Sequence, residues 1–177
     1  LAFTVYYLSI KNYEFLWYVA VMLFFLVLIG MTLSRSKFDY LILWGLSLWG
    51  FLHMAGGGIR VNGSVLYALP IIHLFNIGDT FVLKFDQFVH IFGFFVTALV
   101  AFHLIKGQIK SSPNWTLIYI TSAVISMGLG ALNEIIEFVA TISITNVNVG
   151  GYYNTSLDLI ANMIGAFLAI FLMRKRR

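Results

Sequence analysis

Long apolar runs broken by short polar stretches dominate this chain. A bilayer-crossing helix needs about 20 predominantly apolar residues, and five stretches qualify: 14–33, 38–56, 85–105, 115–140 and 155–173. The polar tetrad SRSK (34–37) ends the first, and Pro113 stands just before the fourth, where a helix start tolerates proline. Residues 57–84 follow another rule. They contain Gly63, Pro70, Asn76, Gly78 and Asp79, too polar and broken for a crossing helix, yet the run VLYALPIIHLF (65–75) is too apolar for a plain loop. It predicts a re-entrant or interfacial segment, with His73 as an interfacial residue. The pattern as a whole predicts an all-α integral membrane protein: one membrane domain, 1–177, built as a bundle of five transmembrane helices with that segment between the second and third. Residues 1–10 have the character of a stub of an earlier span.

Composition agrees. Of 177 residues, 60% are hydrophobic and 10% charged, where a soluble domain carries roughly 25% charged residues. Cysteine is absent, which removes disulfides and thiolate metal sites from consideration. The basic residues gather at span ends and form no patch for nucleic acid. Arg35 and Lys37, Lys106 and Lys110, and the terminal RKRR (174–177) fall on one side by alternation; Lys11, Arg60 and Lys84 fall on the other. The positive-inside rule puts the richer side in the cytoplasm. The expectation is a multi-pass protein of the cell (inner or plasma) membrane with a cytoplasmic C-terminus.

That topology sorts the polar residues by depth. His53, Asp86, His90, Glu134, Glu137, Asp158 and Asn162 all fall toward the extracytoplasmic ends of their spans. A charge inside a span costs from ~3 to over ~10 kcal/mol, so such residues are rare and usually functional. Asp86 and His90 are four apart, Glu134 and Glu137 three apart, Asp158 and Asn162 four apart, so each pair shares a helix face. Paired carboxylates and imidazoles turned inward from several helices are how bundle-core metal sites are assembled, and this donor set suits Zn, Fe or Mn. Structural readings stand beside that one. Asp158 fits a first-turn acid favoured by the helix dipole, with Thr155 or Ser156 as cap, and His90 fits a packing pair with Asp86 or Glu134. Glu134 and Glu137 need more: a cation, a shared proton, or a basic partner such as Arg60 or Lys84. His103 lies near the cytoplasmic end of its span. Gly45, Gly50, Gly128, Gly130 and Gly165 suit close helix contact, and Gly56–Gly58 suit a turn with positive φ.

HMAGGG (53–58), the Tyr67–Pro70 stretch, FDQFVHIFGFF (85–95), ALNEIIEF (131–138) and YYNTSLDLIANMIGA (152–166) together resemble the YjdF-like family of uncharacterised polytopic membrane proteins. More distantly, the D-x3-H, E-x2-E and D-x3-N-x2-G elements are similar to the VanZ-like family. Gln87 stands where the family often has Arg. The resemblance implies a fold and candidate residues, and no reaction.

Two classes of function fit these residues. One is a membrane enzyme performing metal- or acid/base-assisted hydrolysis or transfer on a lipid-linked or envelope substrate. His53, His90, Glu134 and Asp158 would then ligate a divalent metal, Glu134, Glu137 and Asp86 would handle protons, and Asn162, Arg60 and Asn133 would complete the pocket. The other is a non-catalytic accessory subunit or ion- or small-molecule-binding transporter whose polar network is structural. Five spans without an obvious inverted repeat weigh against the transporter.

Overall fold

The computed structural model describes residues 1–72, 76–77, 80–81, 83–109, 112–144 and 150–177. His73, Gly78, Asp79, Lys110 and residues 145–149 of the loop after the fourth span lie outside the described residues. Five long helices are apolar enough to cross a membrane: α2 (Tyr13–Ser36), α3 (Tyr40–Gly58), α4 (Phe85–Lys106), α5 (Trp115–Ser143) and α6 (Tyr152–Lys175). A short helix, α1 (Ala2–Ser9), precedes them. The protein is an all-α membrane bundle. Its bilayer contact is carried by exposed apolar side chains such as Leu23, Phe24 and Leu26 on α2, Phe138 on α5 and Phe171 on α6.

Polar side chains set the helix starts. Asn12, Asp39 and Asn114 accept hydrogen bonds from the N–H groups of Phe15, Ile42 and Leu117 at 3.0–3.1 Å, satisfying donors that have no intrahelical partner. Gln87 Oε1 does the same for the Lys84 N–H at 2.8 Å, ahead of α4. At α6 the expectation needs correction. The helix begins at Tyr152 after Gly151 with no side-chain cap, so Asp158 sits in the second turn and neither Thr155 nor Ser156 caps.

Helix α4 is the central strut, packed against α3, α5 and α6. Its seam with α6 is tightest at Gly165, where an added Cβ would lie 2.1 Å from the Ile91 carbonyl oxygen. Gly130 likewise makes room for the Asn162 side chain, whereas Gly128 faces open space. One apolar core lies toward the basic end (Ile42, Ala98, Leu99, Phe102, Ala169, Met173). A second lies toward the other end (Tyr7, Phe15, Tyr18, Val19, Met54, Ala140). Helix α1 joins the second through Tyr7, which is fully buried and donates its hydroxyl to the Met54 carbonyl.

Gly56–Gly58 do not form the expected positive-φ turn. They are the helical last turn of α3, and their missing side chains admit the rings of Tyr67, Phe15 and Tyr7. The turn comes later. Strands β1 (Arg60–Val61) and β2 (Ser64–Val65) pair antiparallel around Asn62 and Gly63, both at positive φ, the chemistry of a two-residue hairpin. A 3-10 turn at Leu66–Ala68 then packs on α3 and α4. A second small hairpin, β3 (Asn76–Ile77) with β4 (Thr80–Phe81), precedes α4.

Candidate functional site

The ends of α3, α4, α5 and α6 that carry the polar residues meet at one end of the bundle, and His90 is the hub. Only 7% exposed, it packs Nδ1 against Asn162 Oδ1 at 2.9 Å. Asn162 Oδ1 can only accept, so Nδ1 carries the hydrogen of that bond. Asp86 Oδ1 lies 3.8 Å from Nε2, and Glu134 Oε1 lies 3.8 Å from Nδ1. Two sets therefore bring donor atoms within 4.8 Å of one another: Asp86, His90 and Asp158, and His90, Glu134 and Glu137.

Neutral amides hold the acids. Asp158, 1% exposed, accepts from Gln87 Nε2 at 2.7 Å and from Asn154 Nδ2 at 2.6 Å. Asn154 Nδ2 also reaches Asp86 Oδ2 at 3.2 Å, and its Oδ1 accepts from Lys84 Nζ. That ammonium stands 3.9 Å from Asp86. Asn133 donates to Glu137 at 2.8 Å. Gln87 thus uses its two amide ends for two tasks, starting α4 and fixing the α6 carboxylate.

His53 belongs to neither donor set. It sits among aromatic rings, stacked on Trp49 and edge-on to Tyr18, and its Nδ1 is 2.6 Å from the Tyr67 hydroxyl. Burial, then the nearby charges of Asp86 and Glu137, hold that hydroxyl well above the usual tyrosine range, so Tyr67 remains a hydrogen donor for Nδ1. His53 nonetheless lines the same cavity as His90, Asp86, Glu137, Lys84 and Asn154, a hollow of about 120 Å3. Arg60 is elsewhere: exposed on β1, it bonds the Gly63 carbonyl and is not among the cavity-lining residues. The basic neighbour of the acids is Lys84.

Glu14 had no place in the sequence reading of the site, yet it is 7% exposed and lines this cavity. Its position at the first turn of the first span, on the same side as the other acids, is the signal that could have found it. Among the described residues, three buried polar atoms around the site have no hydrogen-bond partner: Glu134 Oε1, Asn162 Nδ2 and Tyr18 Oη. Leaving such groups unmet costs about 1–3 kcal/mol each.

Fold and site define a polytopic α-helical membrane protein with a histidine–carboxylate cluster at one end of its bundle. The family model described as predicted membrane protein (DUF2238) matches residues 1–177, and the chain belongs to that family, consistent with the YjdF-like resemblance. No curated protein and no solved structure matches the chain.

Proposed function

We propose that the His90 cluster is an extracytoplasmic, membrane-embedded site for a divalent metal ion (Zn, Fe or Mn), and that it serves hydrolysis or group transfer on a lipid-linked or envelope substrate. The observation that carries the reading is the convergence of His90 with Glu134 and Glu137 within 4.8 Å, one Glu134 oxygen having no hydrogen-bond partner among the described residues. The donor chemistry fits: neutral imidazole and carboxylates are ordinary ligands for these ions. His90 with the carboxylates of Glu134 and Glu137, whose donor atoms lie within 4.8 Å of one another, would hold the ion. The bonds from Asn162, Asn133, Gln87 and Asn154 are the outer support that fixes ligand orientation in metal sites. A bound ion would supply charge stabilisation and a more acidic bound water. Asp86, on the cavity wall beside His90, would accept a proton there, and Lys84, 3.9 Å away, would neutralise an anionic group entering beside it.

The extracytoplasmic assignment rests on the basic residues. Lys106, Arg174, Lys175, Arg176 and Arg177 end α4 and α6 at the far side of the bundle, which the positive-inside rule assigns to the cytoplasm of a cell membrane. A second reading has one observation behind it. Both Asp158 oxygens are already occupied by amides, as in a purely structural network; under it the protein is an accessory subunit or a transporter.

A turnover assay separates the two. Purified protein in proteoliposomes made from a polyprenyl diphosphate and mixed phospholipids is followed by lipid mass spectrometry. Time-dependent loss of one lipid species, abolished in Glu137→Gln and His90→Ala, supports the enzyme; no turnover with any of the divalent ions added supports the structural reading.

A further inference from the structure

The opposite end of the bundle carries a second cavity, of about 640 Å3, between the ends of α2, α4 and α6 and the start of α3. Arg35, Lys37, Lys106 and Arg176 line it, with Asp39 as the single carboxylate among the described lining residues. That carboxylate is committed. It bonds Arg176 Nη2 at 2.7 Å and caps the Ile42 N–H at 3.0 Å. Among the described residues no carboxylate makes an ion pair with Arg35, Lys37 or Lys106. The positive-inside rule accounts for cations at this end; it does not account for their convergence on one hollow.

The backbone and the wall add two observations. Lys37 ends α2 in the left-handed conformation, φ 50° and ψ 41°, where glycine or asparagine is the usual occupant; a lysine there keeps a cation at the cavity rim. The wall is apolar beneath the cations: Leu99 and Phe102 are buried, and Leu104 is 45% exposed. An apolar wall under a cationic rim matches a phosphate with a hydrocarbon attached better than a free anion. A hollow of this size lies in the range of small-molecule sites.

We propose that this cavity binds the phosphate headgroup of an anionic phospholipid, with Arg35, Lys37 and Lys106 facing the phosphate and Phe102 and Leu104 contacting the glycerol and upper acyl chain. The site is independent of the His90 cluster. Basic pockets between spans are known to take such headgroups.

The test uses the full chain purified in neutral detergent. Thermal unfolding is titrated with dioleoylphosphatidylglycerol, with dioleoylphosphatidylcholine and with inorganic phosphate. Phosphatidylglycerol should raise the melting temperature saturably, and phosphatidylcholine and phosphate should not. Arg35→Gln should weaken half-saturation about fivefold, the value of one cation near a phosphate, while Arg177→Gln, outside the cavity, should leave it unchanged. Lys37→Gln and Lys106→Gln, both on exposed side chains, repeat the test should Arg35→Gln not fold. Inorganic phosphate matching the lipid, with the same loss in the variants, would keep the anion site and overturn the lipid. Equal stabilisation by phosphatidylcholine, or variants that titrate like wild type, would overturn the site itself.

Discussion

Replacing Gly165 by alanine should part the two helices on which the candidate site depends. The new Cβ would meet the Ile91 carbonyl oxygen at 2.1 Å, its carbon at 2.9 Å and the Phe95 nitrogen at 3.0 Å, where ordinary contact begins at 3.4 Å. All three atoms are backbone within α4, so no side chain can rotate away, and α4 and α6 must separate by about 1 Å. His90–Asn162 and Gln87–Asp158 span that same seam at 2.9 and 2.7 Å. A separation of about that size takes both beyond good hydrogen-bond length. Overpacking usually costs about 1–3 kcal/mol; with two buried polar contacts strained as well, about 3 kcal/mol is expected. Gly128→Ala is the matched control. Nothing lies within 4 Å of its added Cβ, so the alanine should be neutral or stabilising by up to ~1 kcal/mol through helix propensity. Reversible unfolding in mixed micelles measures both. Equal stabilities for the two variants would refute the close α4–α6 approach.

Asn154→Leu should cost about 3 kcal/mol, since it strips amide contacts from Asp86, Asp158 and Lys84 at once. Asn133→Leu, which loses the Glu137 bond, should cost about 1 kcal/mol in the same assay. Burial raises the Asp39 carboxyl, but the Ile42 N–H and the Arg176 guanidinium outweigh it and hold the group below the usual value of 3.8. A depressed pKa stabilises the fold above the unfolded value, and that contribution is lost as pH falls through the folded one. The stability gap between wild type and Asp39→Asn should therefore hold steady from neutral pH to about 5 and close below 3.8; a gap that widens on acidification would contradict the pair. The natural chain has no cysteine, so single cysteines report topology directly. A membrane-impermeant thiol reagent on intact cells should label Tyr152→Cys and spare Arg177→Cys, and the reverse pattern would invert the bundle.

The bundle was legible because lipid imposes a coarse rule: twenty apolar residues and charged ends. The position of the polar residues along their spans was legible as well, and with it the meeting of Asp86, His90, Glu134, Glu137, Asp158 and Asn162 at one end of the bundle. Partner choice was not. Gln87 and Asn154 are neutral and escape a reading by charge; the α4–α6 packing turns Gln87 onto Asp158, and Asn154 reaches it from one turn earlier on the same helix. Glu14 enters the cavity wall with the first turn of α2, where Asn12 and Phe15 line it as well. Arg60 carries the right charge on the right side, but the Asn62–Gly63 turn holds it on an exposed hairpin, and Lys84, just ahead of α4, stands beside Asp86 instead. The three glycines of α3 show the same limit from another direction. Their freedom of φ was visible in sequence, whereas the need for space came from the rings of Tyr7, Phe15 and Tyr67, supplied by distant segments.

The metal content of the purified chain bears most directly on the proposal that His90 and its carboxylates hold an ion. Protein purified without chelator and analysed by inductively coupled plasma mass spectrometry should carry close to one Zn, Fe or Mn per chain. His90→Ala and Glu134→Gln should both lose the ion, and a chelator should lower the melting temperature of wild type by removing a ligand that binds only the folded state. A chain with no stoichiometric metal, whose melting temperature chelator leaves unchanged, would contradict the account and leave the cluster as a network of shared protons.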